Sequence, residues 1–316
     1  MVSAATPSTA ATTRPSSLTL PLKGETVCDC HVHVFDPARF PYAGARSYTP
    51  ASATTQDLRA FHERLGIGRM VLVQPSVYGT DNRALVDALR VFGPGVARGI
   101  AVVDATSVRP DELQQLHDAG VRGLRLNLEG KQPLAAGVLA QIRRLESLLA
   151  PLGWSLQMYL DTALLSALAG DIATLSIPVV LDHFGGLKVN SPSLDAEIDA
   201  LLKLLENRHI NVKLSAPYRT AATAPDYPQA EKLARALVAT APGQLVWASD
   251  WPHTSSSQHR DGDLSKIEAF RPEDAGRTLS LVAQWLGGEA AAQVLVRNPQ
   301  TLYGFTSEPV VTSQFR

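Results

Sequence analysis

The chain has 316 residues, of which 45% are hydrophobic and 19% are charged, so it is long and apolar enough to bury a large core. Its formal net charge is only −1, which removes any global electrostatic case for nucleic acid or an anionic membrane surface as a partner. No apolar stretch approaches the ~20 residues that a membrane-spanning helix needs. We therefore expect a globular protein with neither nucleic acid nor membrane as a partner.

The first residues, 1–26, are rich in Ala, Ser, Thr and Pro and contain no continuous apolar segment. A secretory signal needs such a segment, so we expect a disordered N-terminal tail. No later stretch has the composition of a linker. The predicted organisation is one domain over 27–306, followed by a short C-terminal tail over 307–316.

The two cysteines of the chain, Cys28 and Cys30, lie two positions apart in an apolar run. On a strand both side chains would point to the same face, where this spacing is poorly suited to a disulfide. We therefore expect two buried thiols in a reducing compartment, and a cytoplasmic protein.

Short apolar runs rich in β-branched residues alternate with amphipathic stretches from Val27 onward, which indicates βαβ units and a parallel sheet. The helix candidates include 55–66, with an apolar stripe, and 110–120, which opens at Pro110 and closes at Gly120. No GxGxxG motif follows the first strand, so an open dinucleotide-binding sheet loses its best support. We predict an α/β fold, a single (β/α)8 TIM-type barrel. Its predicted strands are VCDCHVHV (27–34), MVLVQP (70–75), GIAVV (99–103), GLRLNL (123–128), SLQMYL (155–160), PVVLDH (178–183), INVKLS (210–215) and LVWASD (245–250).

Four polar side chains lie within or at the ends of these predicted strands, although a buried parallel strand should be continuously apolar. His31 and His33 are two positions apart and project the same way from strand one. His183 ends strand six, and Asp250 ends strand eight. Each alone could be a buried histidine or a turn cap, but four such groups at the carboxyl end of one barrel favour an active site.

The sequence resembles a known enzyme family at three of these segments. They are DCHVHVFD near the start, LDHFGG at 181–186 and SDWPH at 249–253. These motifs are similar to those of the amidohydrolase superfamily, and within it to the branch of 2-pyrone-4,6-dicarboxylate lactonases and related lactone hydrolases. The resemblance extends from Val27 to the segment NPQTLYGF at 298–305. It implies a carboxylic ester hydrolase on a TIM-type barrel.

The chain departs from the binuclear metal enzymes of that superfamily at two positions. Those members place a metal-bridging lysine on strand four and a histidine on strand five, whereas here strand four reads GLRLNL and strand five offers Tyr159. The lactonase branch is understood to work without a metal, so we expect no metal and no other cofactor. The alternative is one divalent cation such as Zn²⁺, held with an open position by His31, His33, Asp250 and His183.

The resemblance also implies a set of substrate-binding residues. Arg125 on strand four, Lys131 and Arg219 match cationic groups that hold substrate carboxylates, with Lys131 in place of the arginine expected in the family. A basic residue alone is more commonly a solvated surface charge, but Arg125 lies inside a strand and needs a reason to be there. The implied partner is therefore a small carboxylated lactone. Further positions near the substrate match Tyr48, Ser76 and His253.

These residues predict a mechanism. Lactone hydrolysis needs a nucleophilic water, a base and donors for the oxyanion, and Asp250 is the best candidate for the base. His31, His33 and His183 would polarise the carbonyl, and Tyr159 can add one hydroxyl donor. In a 2-pyrone the leaving group is an enol, which departs more readily than a simple alkoxide, so a metal is less necessary.

Three alternative functions stay open. One is a metal-dependent hydrolase or decarboxylase of the same superfamily. A second is an isomerase of sugar-diacid lactones, similar to galactarolactone isomerase, which would transfer the acyl group to a substrate hydroxyl; Asp250, a competent base for water, favours hydrolysis over it. A third is a non-catalytic binding barrel, but under this hypothesis packing alone would have to account for the four polar strand-end residues. The sequence also leaves open whether the chain forms a homo-oligomer.

Overall fold

An eight-stranded sheet forms the centre of the fold in the computed structural model, which describes residues 25–129, 137–255 and 262–306. The strands follow one another around the sheet in chain order, and every neighbouring pair is parallel. This order confirms the predicted (β/α)8 TIM-type barrel. The strands are β1 (Cys28–Val32), β2 (Arg69–Val73), β3 (Ala97–Ala101), β4 (Val121–Asn127), β5 (Ser155–Tyr159), β6 (Val179–Leu181), β7 (Ile210–Ser215) and β8 (Leu245–Ala248).

The barrel closes between its first and last strands. Val32 forms a parallel bridge with Trp251, just beyond β8. The amide of His33 donates to the carbonyl of Trp251 at 2.9 Å, and the amide of Asp250 donates to the carbonyl of His31 at 3.1 Å. The segments DCHVHVFD and SDWPH, distant in sequence, are therefore neighbours at the carboxyl ends of the strands.

All eight predicted strands form, each within a few residues of its predicted bounds. Seven of them end one or two residues before the predicted bound. β6 stops before His183 and β8 stops before Asp250, because the backbone at both residues leaves the extended region for a positive φ. His183 and Asp250 therefore sit on turns just beyond the ends of their strands, whereas His31 lies within β1.

Helices separate the consecutive strands, as the sequence predicted. The first of them begins at a capping box in which Thr54 and Asp57 each accept a hydrogen bond from the other's backbone amide, and it ends at the left-handed Gly66. Its buried side chains include Leu58 and Phe61. The helices are α1 (Thr55–Leu65), α2 (Arg83–Phe92), α3 (Pro110–Asp118), α4 (Val138–Leu149), α5 (Thr162–Ala173), α6 (Leu194–Leu204), α7 (Pro228–Thr240), α8 (Ala275–Leu286), α9 (Gly288–Ala292) and α10 (Asn298–Tyr303).

The amino ends of the strands are covered by the end of α10 and the residues after it. Tyr303 and Phe305 pack against Cys28 and Cys30 inside the barrel. Arg98, on β3, donates to the carbonyl of Tyr303 at 3.2 Å and stacks on the Phe305 ring at 4.6 Å. Both cysteines are free and buried, with their Sγ atoms 3.8 Å apart, as their spacing predicted. This end of the barrel is filled, which leaves the carboxyl face for a site.

Within the described ranges, no helix is long and apolar enough to cross a membrane. The predicted tails over 1–26 and 307–316 lie outside the described residues, apart from Glu25 and Thr26. The bounds of the domain therefore stay a prediction.

Candidate active site

The four polar residues singled out from the sequence meet at the carboxyl ends of the strands. His31 and His33 come from the end of β1, His183 follows β6 and Asp250 follows β8. The Nε2 atoms of His31 and His33 are 3.2 Å apart, and they lie 3.7 Å and 4.0 Å from Oδ1 of Asp250. Nε2 of His183 lies 4.0 Å from the same oxygen. Three imidazoles therefore surround one buried carboxylate oxygen.

Strained backbone holds two of these residues in place. His183 has a φ of 48° and Asp250 a φ of 63°, in the left-handed region that non-glycine residues rarely occupy. The LDHFGG segment needs its last glycine, because a Cβ on Gly186 would collide with the carbonyl oxygen of Leu160. Such strain costs of order 1–3 kcal/mol per residue and concentrates at functional sites. The backbone geometry thus supports a functional role for this face.

Asp250 uses its two carboxylate oxygens differently. Oδ2 accepts a hydrogen bond from the Tyr218 hydroxyl at 2.6 Å and another from Nε of Arg219 at 2.9 Å, whereas Oδ1 faces the imidazoles. Burial alone would raise the pKa of Asp250, but the Arg219 guanidinium holds it well below its usual range. The carboxylate is therefore ionised, and Oδ1 is the oxygen left for a further partner.

Burial keeps the three imidazoles neutral. It lowers the pKa of His31 to about 3 and that of His33 to about 4, and it also lowers the pKa of His183. Nδ1 of His33 lies 2.7 Å from the carbonyl oxygen of Val73, which can only accept, so this nitrogen carries the proton. Nε2 of His33 therefore carries a lone pair. With no cation between the two rings, this nitrogen accepts a hydrogen bond from the Nε2–H of His31.

A buried polar cluster, not among the predicted site residues, lies beside His31. It consists of Lys213 on β7, Gln157 on β5 and Asp182 just after β6. Nζ of Lys213 donates to Oε1 of Gln157 at 2.7 Å, and lies 3.2 Å from Nδ1 of His31 and 3.4 Å from Oδ1 of Asp182. The criterion that drew attention to Arg125, a polar residue inside an apolar strand, would also have found Lys213 and Gln157. The cluster positions the His31 ring.

Two of the three predicted substrate-binding cations reach the site, and both already have carboxylate partners. Arg125 on β4 lies 3.4 Å from Oδ2 of Asp182, and Arg219 is bonded to Asp250. Their side chains are only 7% and 8% exposed, so neither is a solvated surface charge. Each guanidinium has five N–H donors, more than these carboxylates use. The third cation, Lys131, lies outside the described residues.

A cavity opens above these groups at the carboxyl face. The ring of Tyr159 is 5.0 Å from that of His183, and its hydroxyl donates to Oε1 of Glu129 at 3.2 Å. Glu129 directly follows the predicted strand 123–128, and this strand-end position could have identified it as a candidate site residue. His253 does not line the cavity: it is buried behind Asp250, whose carbonyl accepts from the His253 amide at 2.8 Å. The predicted residues on the cavity wall are His33, Tyr48, Ser76, Arg125, Tyr159, His183, Arg219 and Asp250.

The donor atoms of this site fit one divalent cation. The ligand atoms of His31, His33 and Asp250 all lie within 4.8 Å of one another. Zinc–ligand bonds of about 2.0–2.2 Å would place neighbouring ligands roughly 3.3–3.6 Å apart, close to the spacings seen here. With His183 as a fourth ligand these residues would hold a cation, which would supply Lewis-acid polarisation of a carbonyl. A second cation does not fit the family pattern, because β4 has no lysine and β5 has no histidine.

Known proteins are similar to this chain along most of its length. The family model described as Amidohydrolase matches residues 28–305. A 2-pyrone-4,6-dicarboxylate hydrolase of Comamonas testosteroni is 36% identical over 286 residues, covering 87% of this chain and 89% of that protein. A 4-sulfomuconolactone hydrolase of Rhizobium radiobacter is 32% identical over 281 residues, with coverage of 87% and 89%. The crystal structure of a probable 2-pyrone-4,6-dicarboxylic acid hydrolase from Acinetobacter baumannii, with citric acid bound, has a TM-score of 0.74 at 27% identity, covering 89% of this chain and 100% of that one.

Proposed function

The chain belongs to the amidohydrolase family and is a lactone hydrolase, and we propose that it opens a small lactone bearing at least one carboxylate, such as 2-pyrone-4,6-dicarboxylate. The observation that carries the proposal is the ionised carboxylate of Asp250, faced by three neutral imidazoles and bonded to Arg219. Attack of water on an anionic ester requires a base, hydrogen-bond donors for the oxyanion and a cation for the substrate carboxylate. The Asp250 carboxylate, the imidazoles and the Arg219 guanidinium can supply these three functions.

Asp250 is the proposed general base. Because Tyr218 and Arg219 occupy Oδ2, the proton of the attacking water goes to Oδ1, and it later passes to the leaving oxygen of the ring. The lowered pKa of Asp250 makes it a weak base while Arg219 stays bonded to it. A substrate carboxylate that attracts Arg219 would weaken this ion pair and raise the pKa of Asp250. Arg219 would thus couple the charge of the substrate to the strength of the base.

His183 is the best-placed donor for the oxyanion. Its Nδ1 lies 2.8 Å from the Ser215 hydroxyl, and when that hydroxyl donates to Nδ1 the Nε2–H of the ring is directed into the site. His31 would add further polarisation once its Nε2–H turns from His33 to the carbonyl oxygen, and His33, whose own N–H is bonded to Val73, would support the carbonyl only through His31. Tyr159 lies beside His183 and is the fifth proposed catalytic residue, although in this structure its hydroxyl donates to Glu129.

The substrate carboxylate would be held by the free N–H groups of Arg125 and Arg219. A planar guanidinium matches the geometry of a carboxylate, and a buried charge-assisted pair that loses one partner typically costs ~2–5 kcal/mol. Tyr48 and Ser76 on the cavity wall would contact the rest of the ring. We propose that Lys131 adds a third cation, and that no metal or organic cofactor is required.

A comparison of charged and neutral substrates tests this proposal. The purified protein is incubated with 2-pyrone-4,6-dicarboxylate or with its neutral dimethyl ester, and ring opening is followed by the loss of ring absorbance. We expect kcat/KM for the dicarboxylate to exceed that of the diester by roughly 30-fold or more, on the energy scale of a broken carboxylate pair. Equal turnover of both would contradict the role of the cations. If the protein opens neither compound and no other carboxylated lactone, the proposed function is wrong.

A further inference from the structure

One carboxylate on the cavity wall has no place in the proposed reaction. Glu129 lies two residues beyond the end of β4 and is half-buried, and it shares the cavity wall with Arg125, Arg219 and His183. Its Oε1 accepts the Tyr159 hydroxyl at 3.2 Å. A carboxylate facing a pocket for an anionic ligand is unfavourable unless it serves recognition, because like charges repel at short range.

No neighbouring cation neutralises Glu129 in the part of the chain that the structure describes. Arg125 is paired with Asp182, and Arg219 is paired with Asp250. Lys188 is close enough for its ammonium to feel the charge of Glu129, but this ammonium donates to the carbonyl oxygen of Arg219 and forms no ion pair with Glu129. Among the described residues, the Glu129 carboxylate therefore forms no ion pair.

Glu129 and Tyr159 together present hydrogen-bond acceptors to the cavity. The phenol proton of Tyr159 is directed to Glu129, so the phenol oxygen keeps its lone pairs for a ligand, and the carboxylate keeps further acceptor sites. The Tyr159 ring is 5.0 Å from the His183 ring, and Cζ of Arg125 is 5.7 Å from the centre of the Tyr159 ring. A single lactone ring bound against His183 therefore reaches both the guanidinium and this acceptor pair.

We propose that Glu129 is a specificity-determining residue that selects a monoanionic lactone with a hydroxyl group, an inference that rests on the proposed function. The carboxylate of the substrate lies toward Arg125 and Arg219. A ring hydroxyl lies toward Glu129 and Tyr159, where it donates a hydrogen bond. A second carboxylate in that position would face Glu129 and be disfavoured. The preferred substrate class is the monolactones of hydroxylated diacids, and dicarboxylated pyrones are slower substrates.

Steady-state kinetics on three proteins test this inference. The substrates are a monocarboxylated hydroxy-lactone and 2-pyrone-4,6-dicarboxylate, and the proteins are wild type, Glu129→Gln and Glu63→Gln. Glu63 is exposed on α1, so its substitution changes the net charge equally without touching the cavity. We expect wild type to prefer the hydroxy-lactone in kcat/KM. We expect Glu129→Gln to shift that preference by about tenfold or more toward the dicarboxylate, mainly through KM, and Glu63→Gln to leave it unchanged.

A second variant separates the charge of Glu129 from its hydrogen bond. Tyr159→Phe keeps the carboxylate and removes the phenol. Because Tyr159 is also a proposed catalytic residue, kcat should fall for both lactones, whereas KM should rise for the hydroxy-lactone alone and the dicarboxylate should stay disfavoured. An unchanged preference in Glu129→Gln, or a shift toward the hydroxy-lactone, would overturn the inference while the proposed function stands. If wild type opens neither lactone, the proposed function fails and the inference with it.

Discussion

Nε of Arg219 donates to Oδ2 of Asp250 at 2.9 Å, so the guanidinium expected to hold the substrate is bonded to the residue expected to be the base. Both side chains are nearly buried, which makes the ion pair strong and keeps Asp250 ionised. Arg219 therefore has two proposed tasks, and the loss of its side chain should affect charged substrates more than neutral ones.

Arg219→Met tests this dual role. We expect kcat/KM for a carboxylated lactone to fall by roughly 30-fold or more, because the substrate loses a guanidinium partner. The matched control is Arg235→Met on α7, which removes an arginine from an exposed ion pair with Glu231. An equal fall for the charged lactone and its neutral ester would show that Arg219 acts through Asp250 alone.

Lys213→Met should destabilise the fold. The Lys213 ammonium is fully buried against Gln157, His31 and Asp182, and its removal leaves the Asp182 carboxylate with Arg125 as its remaining cation. Breaking a buried charge pair typically costs ~3–5 kcal/mol. Urea unfolding monitored by circular dichroism measures the loss, with the exposed Lys203→Met on α6 as the control. Equal stabilities for the two variants would mean that the buried ammonium contributes nothing.

Stability should fall as the pH drops from about 7 toward 4. The folded state holds His31 and His33 neutral with pKa values of about 3 and about 4, whereas an unfolded histidine titrates near 6.5. Below pH ~6.5 the unfolded chain binds protons at these histidines that the folded chain does not bind. The contribution of the two neutral histidines to stability is therefore complete above pH ~6.5, and it is lost as the pH falls through their pKa values in the folded state. Each such histidine adds a slope of up to about 1.4 kcal/mol per pH unit. A free energy of unfolding that stays flat between pH 7 and 5 would show that these imidazoles are not held neutral.

Activity should survive dialysis against a strong chelator. The chain lacks the lysine and histidine that hold metals on strands four and five of binuclear relatives, and its four site residues already supply a base and polarising groups. Metal analysis of the dialysed protein should find no stoichiometric cation at full activity. Loss of activity on chelation, restored by zinc or manganese, would instead assign His31, His33, His183 and Asp250 as ligands of a catalytic metal.

The sequence was sufficient to predict the barrel because buried parallel strands leave apolar runs that periodicity detects. It also predicted which residues stand at strand ends, since His183 and Asp250 interrupt those runs. It did not predict which charges pair with each other. The Arg219–Asp250 and Tyr159–Glu129 contacts join residues about 30 positions apart, and the turns that carry them decide the pairing. A motif assigns a residue to a strand end, whereas side-chain pairing depends on loop geometry.

The kcat of Asp250→Asn on a carboxylated lactone tests the central claim most directly. Asparagine has nearly the same volume and can still bond to Arg219 and Tyr218, so circular dichroism should show an unchanged fold. Because the water then has no base, we expect kcat to fall by at least about 100-fold, the usual contribution of a general base. A folded Asp250→Asn variant whose kcat falls by less than about tenfold would contradict the assignment of Asp250 as the base.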